Sequence, residues 1–146
     1  MIEFFVPGIP VPKGSAKAFV VKGRAIVTQD NGAKQKPWAS AISFTAKHQM
    51  GAERPFAGPI AISLLFIMPR PKGHYGSGKN SAVVKESSPQ HHVTKPDLDK
   101  LIRCVKDALT GVVWGDDSQV CEITLARKTY ETTSRGPGVK IQVFKL

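Results

Sequence analysis

Hydrophobic residues fall in short runs along this chain, and their spacing predicts its elements. Ile2 to Val6 is apolar, rich in β-formers and closed by Pro7-Gly8, which predicts a strand entering the core. Pro10, Pro12 and Gly14 then break any period across the basic segment IPVPKGSAKA. Phe19 to Val21 and Ala25 to Val27 flank Lys22-Gly23-Arg24, the pattern of a hairpin with a short glycine-containing loop. Asp30-Asn31-Gly32 is turn chemistry. Between Pro37 and Gln49, the residues Trp38, Ile42, Thr45/Ala46 and Gln49 recur near the helical period, and Pro37 suits a first turn. Ile60 to Met68 is almost continuously apolar after the Gly58-Pro59 turn and is read as a central strand, although periodicity alone also admits a buried helix.

Residues 69–94 lose all apolar periodicity and fill with Gly, Ser, Lys and Pro, which predicts a long, flexible, basic loop within reach of a phosphate backbone. Its glycine-rich GHYGSGK lacks the spacing of a nucleotide phosphate loop. From Asp97 to Leu109 a helix is well marked. Leu98, Leu101, Ile102, Val105 and Leu109 share one face, Asp99, Arg103 and Lys106 share the other, and Thr110-Gly111 supplies the stop. Cys121 to Tyr130 and Val139 to Phe144 read as strands separated by the turn at 134–138, hence as an antiparallel hairpin. Nothing repeats, and 146 residues fit one domain, 1–146, able to bury a core without disulfides.

Charge changes the picture. The chain carries 21 Lys and Arg against 11 Asp and Glu, a net charge of +10 that points to a polyanionic partner, nucleic acid first and an anionic membrane surface second. No apolar run is long enough to span a membrane. The first residues do not resemble a signal peptide, and Cys104 and Cys121 match no zinc spacing, as expected of reduced thiols in a cytoplasmic protein. The adjacent His91 and His92 project in different directions and make a poor zinc site. Trp38 and Trp114 are expected in packing, not in base stacking.

Against this basic background, five of six aspartates (Asp97, Asp99, Asp107, Asp116 and Asp117) crowd into the window Lys95–Val120. Like charges so close disfavour their own ionisation unless a cation sits among them. Asp97 and Asp99 have an ordinary alternative role, capping a helix and complementing its dipole. If the chain doubles back after the helix, however, Asp116-Asp117 returns to the first pair, and their oxygens would suit Mg²⁺ or Mn²⁺ over softer metals. Such ions activate water, neutralise a phosphate and support a leaving oxygen.

The window KPDLDKLIRCVKDALTGVVWGDDSQV resembles the RusA-type Holliday-junction resolvases, whose signature runs as a basic residue, D-x-D-N-L-x-K, D-A-L, then D-D-x-Q-V. FFVPGIPVPKGS is similar, more loosely, to the family's opening strand and Pro-rich turn. The resemblance implies an α+β fold with a small mixed sheet and two main helices. It also implies a homodimeric, Mg²⁺-dependent endonuclease that nicks four-way junctions symmetrically in recombination and repair. Carried over by position, Asp97, Asp99 and Asp117 are the metal-binding and catalytic carboxylates. Asp116 supports Asp117, and Asp107 has a structural role. Lys100 departs from the family's Asn, and Arg103 stands in place of a catalytic Lys, which bears on phosphate positioning and not on metal chemistry. Two rival functions are a non-catalytic nucleic-acid-binding protein and a D-x-D glycosyl- or nucleotidyl-transferase. Small size and high basicity weigh against the transferase.

Overall fold

The elements in chain order are β1 (Ile2–Pro7), β2 (Ala16–Val21), β3 (Arg24–Gln29), α1 (Gly32–Met50), β4 (Ile60–Met68), α2 (Leu98–Leu109), β5 (Val120–Tyr130) and β6 (Gly138–Lys145). The computed structural model describes every residue except Ser15, Asp30 and Asn31, and of Ala16, Lys17, Thr28 and Gln29 the backbone alone. The turn expected at Asp30-Asn31-Gly32 therefore lies outside the described residues, save for Gly32, which opens α1.

The apolar run 60–68 is the strand on which the fold is built. β4 is paired on both edges, in a four-stranded sheet of order β1-β6-β4-β5. The β4–β5 pairing is parallel, and β6 is antiparallel to both β4 and β1, so the sheet is mixed. The hairpin expected of β5 and β6 is thus corrected. They are not neighbours; β6 slots between β1 and β4, and β5 takes the far edge. The reason is the crossover. β4 is followed by a helix before the next strand, and such a unit returns parallel to its start. Local alternation in a strand carries no information about which edge it will meet.

Both helices cover one face of this sheet. From α1, Trp38, Ile42, Ala46 and Met50 enter the core one turn apart; from α2 come Leu101, Cys104, Val105, Ala108 and Leu109. They meet Phe4, Val6, Ile62, Leu64, Phe66, Ile141 and Val143 from the sheet. The result is an α+β domain of two layers. α1 begins at Gly32, ahead of Pro37, which lies inside the helix and not in its first turn. The early residues Lys34, Gln35 and Lys36 are polar, so the apolar period could not announce them. β2 and β3 form a separate two-stranded sheet joined by Lys22 (φ 50°) and Gly23 (φ 77°), a turn suited to hairpin twist.

The two thiols differ sharply. Cys121 is exposed, whereas Cys104 is buried, and burial, with the nearby Asp107 carboxylate second, pushes its pKa up to about 11. In the native protein near pH 8, Ellman's reagent is expected to modify Cys121 and to reach Cys104 only after denaturation. Rapid modification of both in the native state would contradict this packing.

Candidate active site

α2 sets the geometry of the acidic window. Asp97 occupies its N-cap position with extended backbone (φ −71°, ψ 143°), yet its side chain makes no capping hydrogen bond. A carboxylate placed there for stability would accept from an N–H of the first turn. Asp99 follows in that first turn, exposed, with Arg103 exposed one turn further along the same face.

Asp97 lines an open cleft of about 660 Å³ that also receives Lys13, Lys34, Lys95 and Lys100, with Pro10, Val11 and Met68 supplying apolar wall. Four lysines around a carboxylate suit a phosphate approaching a cation. Two straps hold the walls. Lys13 donates its backbone N–H to the Lys100 carbonyl (3.0 Å), and its ammonium pairs with Asp107. Asp107 is thereby occupied structurally. Lys128, on β5, donates from Nζ to the carbonyls of Thr94 (2.7 Å) and Pro96 (2.8 Å), fixing the residues that lead into Asp97 across the cis Lys95–Pro96 bond.

The 69–94 segment is organised where it meets this strap. Its Arg70 donates to the carbonyls of Glu131 (2.8 Å) and Pro89 (2.7 Å) and lies 5.2 Å from the Tyr130 ring centre. His92 is buried against the same ring at 4.9 Å. Burial lowers the His92 pKa, with Lys128 contributing second, so the ring is neutral near pH 7 and packs as an uncharged group. Neither His92 nor Lys128 carries a local sequence signal, because each acts through contacts with distant residues.

Asp116 and Asp117 divide two tasks at the far end of α2. Asp116 caps the short 3-10 turn Asp117–Gln119. It accepts from the Ser118 N–H (2.8 Å), and bonds from Ser118 lower its pKa. Gln119 completes the reciprocal cap, accepting from the Asp116 N–H at 2.9 Å, and anchors the turn by donating to the carbonyls of Phe56 and Gly58, both at 2.9 Å. With Asp116 committed to the turn, Asp117 presents its carboxylate to Lys106 (3.3 Å) and to the Thr110 hydroxyl (3.2 Å). Thr110, the C-cap of α2, shares its single proton between Asp117 and the Lys106 carbonyl at 2.9 Å, and it accepts from the indole N–H of buried Trp114 at 3.1 Å. Trp114 and Trp38 are both core residues, as their composition suggested.

The expected return of Asp117 to Asp97 does not occur within the chain. Asp97 and Asp99 sit at the start of α2, and Asp117 is bonded to its end. Among the described residues no group of three His, Cys, Asp or Glu side chains is placed to hold a metal ion. The donor chemistry of the aspartates fits a hard cation, but of the three only Asp97 lines the cleft, with Asp99 two residues on in the first turn of α2.

Comparison with known proteins now bears on this arrangement. The family model of RusA, an endodeoxyribonuclease, matches residues 7–144, from the end of β1 through β6. The chain belongs to the RusA endodeoxyribonuclease family. It is also 31% identical over 129 residues to YqaN of Bacillus subtilis (strain 168), described as an uncharacterized protein, with 86% of each chain covered. The RusA match spans the cleft, α2 and the Asp116–Gln119 turn together, so the separated aspartates belong to one family domain. Membership makes the chain a nuclease of DNA, and its charge of +10 suits that polyanion. No helix among the described residues is long and apolar enough to cross a membrane.

Proposed function

We propose that this RusA-family nuclease is a cytoplasmic, divalent-metal-dependent, structure-selective endonuclease. It resolves four-way DNA junctions by paired symmetric nicks as a homodimer, in recombination and repair. The observation that carries the reading is Asp97, a carboxylate at a helix start that does not cap it and instead lines a cleft with four lysines. A DNA-binding protein whose acids only cap a helix gives no reason for that arrangement. Asp97, Asp99 and Asp117 are the residues that would hold Mg²⁺, or Mn²⁺ in its place. Such an ion, when bound, supplies an activated water and neutralises phosphate charge. The lysines of the cleft bind and orient the phosphate backbone, and the straps from Lys13 and Lys128 keep the cleft walls in register with α2. A junction presents two equivalent strands, which a two-fold dimer meets with two equivalent sites. The direct test is product analysis: paired nicks in opposite strands should leave two nicked duplexes that ligase can seal. Nicks confined to one strand, or none, would contradict the reading.

Arg103 has a role that mutation can separate. It is exposed one turn after Asp99, and in this reading its guanidinium meets the phosphate that the aspartates' cation holds. Arg103→Ala is expected to slow single-turnover junction cleavage by about 10²-fold with an unchanged melting temperature. Arg103→Lys should recover much of that loss while lacking bidentate contact. Wild-type rates in Arg103→Ala would reduce the residue to an exposed ion-pair partner worth ~0.2–0.5 kcal/mol.

A further inference from the structure

We propose that the β2–β3 hairpin reads the branch in the DNA: its basic tip engages phosphates while Phe19 stacks on bases exposed at the crossing point. The inference rests on the junction-cleaving reading and names the element that separates a junction from a duplex.

The hairpin is built to meet something. It is a sheet of its own, apart from the four strands that carry the core. Cross-strand pairing of Phe19 with Ile26 and of Val21 with Arg24 puts these four side chains on one face. The other face carries Val20 and Val27. All of them are exposed, Phe19 at 45% and Val20 at 71%, so apolar side chains meet solvent on both sides of the arm. A lone two-stranded hairpin is marginal in water, and apolar residues gathered on one mark an interaction surface. The arm springs from the rim of the cleft. Gly14, before β2, and Lys34, after β3, line the cleft with Asp97, and the Gly14 N–H donates to Gln35 Oε1 at 3.2 Å. A ligand held by the arm therefore enters at the rim of that cleft.

Charge selects the occupant. From Lys13 to Gln29 the sequence has four cations, Lys13, Lys17, Lys22 and Arg24, and no acid. Lys22 and Arg24 flank Gly23 at the exposed tip. A second copy, itself at +10, would set cations against cations there, whereas DNA supplies the missing anions. A two-stranded ribbon also fits the major groove. A continuous duplex, however, offers phosphates to the tip but no free base face to Phe19. Wedging an apolar side chain between bases costs unstacking energy, and that cost is smallest where stacking is already broken, as at a four-way crossing. A ring that stacks on the released bases then favours the junction over the duplex.

Binding in EDTA, which needs no cutting, tests this with the full-length protein. A synthetic four-way junction carries 2-aminopurine, whose emission rises on unstacking, at the crossing point, and a matched duplex carries it at the same sequence position. The wild type is expected to raise emission in the junction alone and to bind the junction more tightly than the duplex. Phe19→Ser should abolish the rise and reduce the preference for the junction by about tenfold or more, at an unchanged melting temperature. Phe19→Trp, which keeps a ring that can stack, should retain both. Lys22→Gln/Arg24→Gln should instead weaken both substrates alike and lower the salt slope of binding by about 2. The absence of any rise with the wild type overturns the proposal without recourse to a variant. So does an unchanged rise and preference in Phe19→Ser. A change of association state in Phe19→Ser, seen by light scattering, would make the arm a contact between copies and overturn it too. A junction bound with preference and a clear rise, yet left uncut in Mg²⁺, would sink the nuclease reading and leave the role of the arm standing.

Discussion

Asp97→Asn, Asp99→Asn and Asp117→Asn are each expected to lose junction cleavage by about 10²-fold or more while binding the junction as tightly as the wild type, or tighter. Each change keeps the side chain's size and removes one negative charge. Affinity for DNA comes mainly from cations meeting phosphates, so removing an anion does not weaken it and lowers a local repulsion. Cleavage needs the oxygen ligands, because a hard cation is held by carboxylates and serves the reaction only where it is held. The fold should tolerate all three changes. Asp97 makes no capping bond with its side chain, Asp99 is exposed, and Asp117 loses only contacts with Lys106 and Thr110 at a partly exposed position. Gel-shift affinity and melting temperature, measured beside single-turnover cleavage, separate these effects. Full nicking activity in all three purified variants would remove the aspartates from the chemistry.

The largest effect on stability is expected at Trp114. Its side chain is fully buried between the end of α2 and the sheet, and its indole N–H donates to Thr110. Trp114→Ala should cost about 3–5 kcal/mol, from lost transfer free energy and the cavity left behind. For a domain of this size that is a fall in melting temperature on the order of 10 °C. Trp114→Phe should cost less and act differently. It keeps most of the packing but leaves Thr110 without its donor, loosening the hydroxyl that holds Asp117. A melting temperature within about 2 °C of wild type for Trp114→Ala would show that the region does not carry the packing described here.

Much of this was legible in the residues, and what was not has physical causes. β4 and α2 could be read because burial on both faces of a strand and on one face of a helix writes itself directly into hydrophobic spacing. The start of α1 could not, since Lys34, Gln35 and Lys36 are polar and carry no apolar period, and Pro37 suggests a beginning. The expected β5–β6 hairpin does not form, because alternation marks a half-buried strand and not its neighbour; the β4–α2–β5 crossover determines the pairing. At the site, the aspartates stood out as acids on a basic chain. Asp116 is set apart from Asp117 by its Ser118 and Gln119 bonds, and that distinction appears once the turn is built. Lys128 reaches Thr94 and Pro96 across more than 30 residues, with no local pattern to announce it. The separation of Asp117 from Asp97 follows from the length of α2, and a straight helix cannot bring its two ends to one ion.

The central claim, a metal-dependent nuclease that recognises junction structure, is tested most directly by one comparison. The purified protein is incubated with a synthetic four-way junction and with a linear duplex of matched sequence, each with Mg²⁺ and with EDTA, and the strands are resolved on a denaturing gel. Cleavage of the junction alone, in Mg²⁺ alone, is the expected result. Equal cutting of both substrates, or junction cutting that persists in EDTA, would contradict it.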